Sequence, residues 1–98
     1  MLHIINKSPL TNAALESCLR VAQSGDILLI EDAVYAATLG NAFAEKIQAA
    51  MENFKVYVLQ PDLEARGLAD RLVAGISAVD YDGFVELTVA NKNCQSWL

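Results

Sequence analysis

Clustered metal ligands are missing from this sequence. Its one histidine, His3, stands apart from both cysteines, and Cys18 and Cys94 are too distant in the chain to form a C-x-x-C pair. That spacing supports neither a zinc site nor a disulfide framework, and unpaired thiols fit a reducing cytoplasm. No G-x-S-x-G elbow occurs, and His3 has no serine, cysteine or carboxylate at a triad spacing, which removes the ordinary hydrolase readings. A glycine-rich phosphate loop is also absent, so no metal and no cofactor is expected. Basic residues are scarce: seven Lys and Arg against twelve Asp and Glu give a net charge of −5. Direct nucleic-acid binding needs a cationic stripe and is therefore not expected. The longest purely aliphatic run, ILLI at 27–30, is too short to span a bilayer. MLHIINKSPL reaches Lys7 and Pro9 too early for a signal-peptide core, so the chain reads as soluble, cytoplasmic and off the membrane.

What the sequence has in excess is apolar side chain. Hydrophobic residues make up 54% of 98 positions, and the mean hydropathy is +0.29. A length of this order forms one domain, 1–98, and a lone domain of that size buries only about 60 to 70% of its unfolded surface. Part of the apolar excess is expected to face a partner.

Strand and helix signals alternate along the chain. LHIIN (2–6) reads as a strand, and NKSP supplies a turn in which Ser8 caps a helix with Pro9 at its first position. Gly25 and Asp26 end that helix, and ILLIE (27–31) reads as a strand buried on both faces. Asp32 opens AVYAATLG, and a helical pattern resumes with Phe43, Ile47 and Met51 at four-residue spacing. KVYVLQ (55–60) is the clearest strand, PDLEARGL is a helical turn or two closed by Gly67, and ISAVDY (76–81) is a shorter strand. DGFVELT starts as a helix, with Val85, Thr88 and Val89 working against it, and NKNCQSWL is a polar tail. The alternation predicts an α/β fold with a mainly parallel β-sheet and helices on both faces.

In such sheets ligands sit beyond the carboxyl ends of the strands. The residues placed there are Asn6, Lys7, Ser8, Glu31, Asp32, Gln60, Asp62, Asp80 and Asp82. Their acidity invites comparison with receiver-like signalling domains, which gather carboxylates around magnesium. Such domains need an acidic pair after the first strand, where this chain has Asn6 and Lys7. Helix capping accounts for Asp32, Asp62 and Asp82 without a metal.

The thiols remain. Leu15, Cys18, Leu19 and Ala22 form one helical stripe, and Arg20 projects away from it. Cys18 thus points with the apolar face, and its neighbours three and four positions away carry no cation to activate it. An inert packing cysteine and a reactive one whose positive charge comes from a partner are both open. Cys94 reads as an incidental exposed thiol in a polar tail. Trp97 is expected to dock on the domain or on a partner.

Taken together, LHIINKSP, ALESCLRVAQSGDILLIEDAVYAA, KVYVLQPDLEARGL and VDYDGFVELTVANKNCQSWL resemble the DsrH/TusB family of sulfur-relay subunits over essentially the whole chain. The N-K-S-P turn, the L-x-x-D-L-x-A-R-G run at Leu59 to Gly67 and the D-Y-x-x-F-V-x-L-T run at Asp80 to Thr88 carry the likeness most specifically. Ala33 stands where relatives often carry glycine. The resemblance implies a DsrE-like fold and a heterohexamer with DsrE/TusD-like and DsrF/TusC-like subunits. It also implies a DsrC/TusE-like sulfur acceptor protein. Sulfur would travel as a cysteine persulfide, toward tRNA wobble-uridine 2-thiolation in one branch or through dissimilatory sulfur oxidation in the other. The L-E-S-C-L segment resembles the DsrH branch, which makes Cys18 the candidate persulfide carrier; Cys94 matches no family cysteine. The expectation is a component of a sulfurtransferase complex that is not active alone. The rival is a non-catalytic structural subunit of the same complex.

Overall fold

The computed structural model describes residues 1–41 and 43–97. Among them, five strands form one sheet: β1 (Leu2–Ile5), β2 (Gly25–Leu29), β3 (Phe54–Leu59), β4 (Ser77–Val79) and β5 (Cys94–Trp97). Their order is β4-β3-β2-β1-β5, and every pairing is parallel. The helices are α1 (Ala14–Val21), α2 (Ala44–Ala50), α3 (Gln60–Ala65) and α4 (Tyr81–Ala90), with 3₁₀ segments at Glu31–Ala37 and Ala69–Arg71.

Strand order determines which face each helix covers. The first three crossovers advance in one direction, so right-handed connections place α1, the Glu31–Ala37 segment, α2 and α3 on one face. The last crossover reverses direction to bring β5 beside β1, which sends α4 to the other face. Asn91, just after α4, confirms that placement by donating from Nδ2 to Asp26 Oδ2 at 3.1 Å, because Asp26 is the register partner of Leu2 on the second face. The α/β architecture with helices on both faces is thus as the alternating pattern predicts.

The main core lies on the first face, where Ile5, Ile27, Leu29, Val56 and Val58 meet Leu15, Cys18, Ile47 and Leu63. Leu2 and Leu28 are buried outside that cluster, on the side of α4. Ile27, Leu28 and Leu29 are all sealed, which is why the ILLI run contains no alternation. Gly67 takes φ +67° and closes α3: its N–H donates to Glu64 O, and Leu68 N–H reaches back to Leu63 O at 2.9 Å.

Three local expectations require correction. Ser8 accepts the Leu10 N–H on Oγ, but α1 begins only at Ala14, after Asn12 Oδ1 has accepted the Ala14 N–H. Short polar side chains at Ser8 and Asn12 satisfy the backbone in turns and delay the helix beyond Pro9. The supposed polar tail is β5, hydrogen-bonded along β1. Finally, Asp80 caps α4 by accepting from Gly83 N–H at 2.8 Å, whereas Asp82 lies inside the first turn. Ala33 sits at the core, and the non-glycine residue with a left-handed backbone among those described is Glu31, at φ +51°.

Candidate functional site

Cys18 is carried on the inner face of α1 and is 0% exposed. The residues one turn to either side, Ala14, Leu15 and Ala22, pack on the same core, so the thiol has apolar neighbours along its own helix. Burial pushes its pKa up to about 11. At neutral pH only about one thiol in ten thousand is then ionised, and the thiolate is the form that attacks sulfur. Arg20 lies instead in a groove between α1 and α2 with Glu16 and Lys46. Lys46 pairs with Glu16 there, and that hydrogen bond, followed by the charge of Lys46, lowers the Glu16 pKa.

Cys94 is exposed at the start of β5, in register with Leu2 and therefore on the second face. The two thiols sit on opposite faces of the sheet. They do not form a pair.

The carboxyl-end rim is a set of ties between segments. Arg66 at the end of α3 donates from Nε and Nη2 to Asp32 Oδ1, at 3.1 and 2.9 Å, and from Nη1 to the Asp62 carbonyl at 3.1 Å. Asp62 Oδ2 accepts the Glu31 N–H at 2.6 Å, which holds the left-handed residue in place. Asn6 Nδ2 approaches Glu31 Oε2 at 3.4 Å. Asp32 and Asp62 thereby pin the segment after β2 to α3 and do not cap helices of their own. Among the described residues no group of three histidines, cysteines or carboxylates is placed to hold a metal. Arg66 stands in the A-R-G run of the sequence, but its tie to Asp32, 34 positions away, has no local sequence signal.

Helix α4 presents a second feature. Tyr81, Val85 and Val89 follow one another at four-residue spacing and are 62, 59 and 79% exposed. They form an apolar stripe on the outside of the molecule.

The profile of the DsrH-like protein family matches residues 7–94. The chain belongs to the DsrH family. Within it, the chain is 42% identical over 99 residues to the protein TusB of Escherichia coli O81 (strain ED1a), covering 99% of this chain and 100% of that one. TusB of Klebsiella pneumoniae (strain 342) is 41% identical over 98 residues with the same coverage. Two solved structures share the fold. The ychN protein of E. coli superposes with a TM-score of 0.78 at 18% identity, covering 97% of each chain. A protein of unknown function from Methanobacterium thermoautotrophicum gives 0.74 at 13% identity, covering 97% of this chain and 95% of that one. Membership of the DsrH family makes this chain a sulfur-relay subunit, and its sheet is of the kind seen in those neighbours. Among the described residues no helix is long and apolar enough to cross a membrane.

Proposed function

We propose that this chain is an assembly subunit of a cytoplasmic persulfide sulfurtransferase complex, serving the branch that 2-thiolates the tRNA wobble uridine. The full-length likeness to TusB carries the reading, because those relatives bear the name of the thiolation branch. DsrE/TusD-like and DsrF/TusC-like subunits are the proposed neighbours, with a DsrC/TusE-like protein as the next sulfur acceptor. The exposed stripe of α4 and the acidic balance support a role in protein contacts over one on RNA. In this reading Cys18 packs and a partner's cysteine carries the sulfur.

A second reading has Cys18 as the carrier, and the L-E-S-C-L resemblance favours it. Its thiolate would attack the outer sulfur of a donor persulfide, releasing the donor thiol and leaving a persulfide on Cys18. That chemistry requires α1 to lift from the core and a partner to supply positive charge. The complex, co-expressed and treated with a persulfide donor, separates the two readings by peptide mass spectrometry. Added sulfur on a partner with Cys18 bare is the expected result; sulfur on Cys18, with relay lost in an assembled Cys18→Ser complex, overturns the assembly-only reading. Sulfur-relay components that fail to co-purify with this chain would remove both.

A further inference from the structure

His3 and Trp97 are the chain's one histidine and one tryptophan, and they are bonded to each other. The indole Nε1–H donates to His3 Nδ1 at 3.2 Å. An indole nitrogen can only donate, so the imidazole accepts at Nδ1 and is neutral with its proton on Nε2. His3 is 4% exposed. Its ring centroid lies 6.4 Å from Phe54, edge-on, and 6.3 Å from Trp97.

Among the described residues no carboxylate faces this ring to welcome a second proton. Just before its strand lies the amino group of Met1; from the end of α1 and the turn after it come Val21, Ala22, Gln23 and Ser24, none of them charged. On β2, Ile27 is its register partner, and Asp26 faces the other side, where it accepts from Asn91. On β3, Phe54 touches the ring's edge while Lys55 alternates to the opposite face. On β5 the neighbours are Gln95 and Trp97. Arg20 and the Glu16–Lys46 pair lie in the separate groove between α1 and α2. Burial first, and the Met1 amino group second, hold the His3 pKa below its ordinary value.

The pair also occupies a mechanically sensitive place. β5 is an edge strand paired only with β1, and Cys94, Gln95 and Ser96 are exposed. Trp97 is the residue of β5 that packs against the core cluster. Beside the pair is an open cavity of about 440 Å³ that both rings line.

We propose that His3 and Trp97 form a proton-operated latch on β5. Uptake of one proton at His3 Nδ1 removes the acceptor that the indole N–H has among the described residues and sets two N–H groups against each other. The Trp97 ring then swings from the core into the adjoining cavity, and β5 loses its side-chain anchor. The latch stands independently of whether Cys18 carries sulfur. Its sign follows from linkage: a histidine lowered by folding contributes its full stability above the ordinary value of 6.5, and that contribution is lost as pH falls from there through the folded value.

The full-length chain reports on its own latch, since Trp97 fluorescence and the His3 ring-proton resonance each arise from a single residue. Both are followed from about pH 8 to about pH 4.5, the range around histidine titration. The expected result is one shared step with its midpoint below 6.5. His3→Gln keeps an acceptor without titrating, so it should retain the neutral-pH emission and lose the step. Trp97→Phe removes the donor, so the His3 midpoint should move upward. The latch is overturned by a His3 midpoint at or above 6.5, a ring still neutral at the acid end, a Trp97 signal that ignores His3 titration, or an unchanged step in His3→Gln. If His3→Gln fails to fold, co-titration in the unaltered chain and the Trp97→Phe midpoint decide the matter.

Discussion

Helices α1 and α4 cover opposite faces of one sheet by opposite means. α1 has no side-chain cap from its N-cap residue Ala13, yet it buries Leu15 and Cys18 completely. α4 starts on a well-formed Asp80 cap and is ten residues long, but none of its side chains is buried. The cause is company. α1 shares its face with α2, α3 and the Glu31–Ala37 segment, whereas α4 covers the second face by itself and shows its outer side to water. A helix's apolar content sets how much surface it needs to hide; its neighbours set how much it hides. The stripe of Tyr81, Val85 and Val89 is apolar surface that this chain's described elements leave uncovered.

If α1 is held by burial, shortening its inner side chains should do the most harm. Leu15→Ala is expected to cost about 2–5 kcal/mol, read as a lowered urea midpoint at unchanged slope. Cys18→Ser keeps the size but buries a hydroxyl among apolar groups and should cost about 1–3 kcal/mol by the same measurement. A cost near zero would show that α1 opens readily and would favour the carrier reading. On the other helix, Asp80→Ala should remove about 1 kcal/mol, the worth of an N-cap. Val85→Glu combined with Val89→Glu should change the isolated chain's stability by no more than about 0.5 kcal/mol. The same double variant should weaken self-association in sedimentation and capture by co-expressed partners. Loss of stability instead would mean that the stripe belongs to this chain's own fold.

Local patterns were legible where local forces decide. The sealed residues Ile27 to Leu29, the KVYVLQ strand, the Gly67 stop and the inward stripe of Cys18 all follow from periodicity and turn chemistry within a few residues. What escaped was made by distant pairing. NKNCQSW has a turn-like composition and becomes β5 because β1 offers it an unpaired edge. The Asp32–Arg66 tie joins elements that meet only because β2 and β3 are adjacent. The late start of α1 reflects competition between Pro9, which suits a first turn, and Asn12, which captures the Ala14 N–H. For the candidate site, the apolar setting of Cys18 was visible beforehand. The bond between His3 and Trp97 was not, since 94 positions separate them.

The first strand of the sheet is hydrogen-bonded to the last, a pairing of high sequence separation. β1 to β4 are joined by neighbouring crossovers, whereas the β1–β5 contacts span nearly the whole chain and raise its contact order, which slows folding. Loop-closure entropy grows slowly with length, so the delay is a matter of rate more than of final stability. Wherever β5 is undocked, β1 becomes an open sheet edge whose unpaired backbone groups can accept a foreign strand.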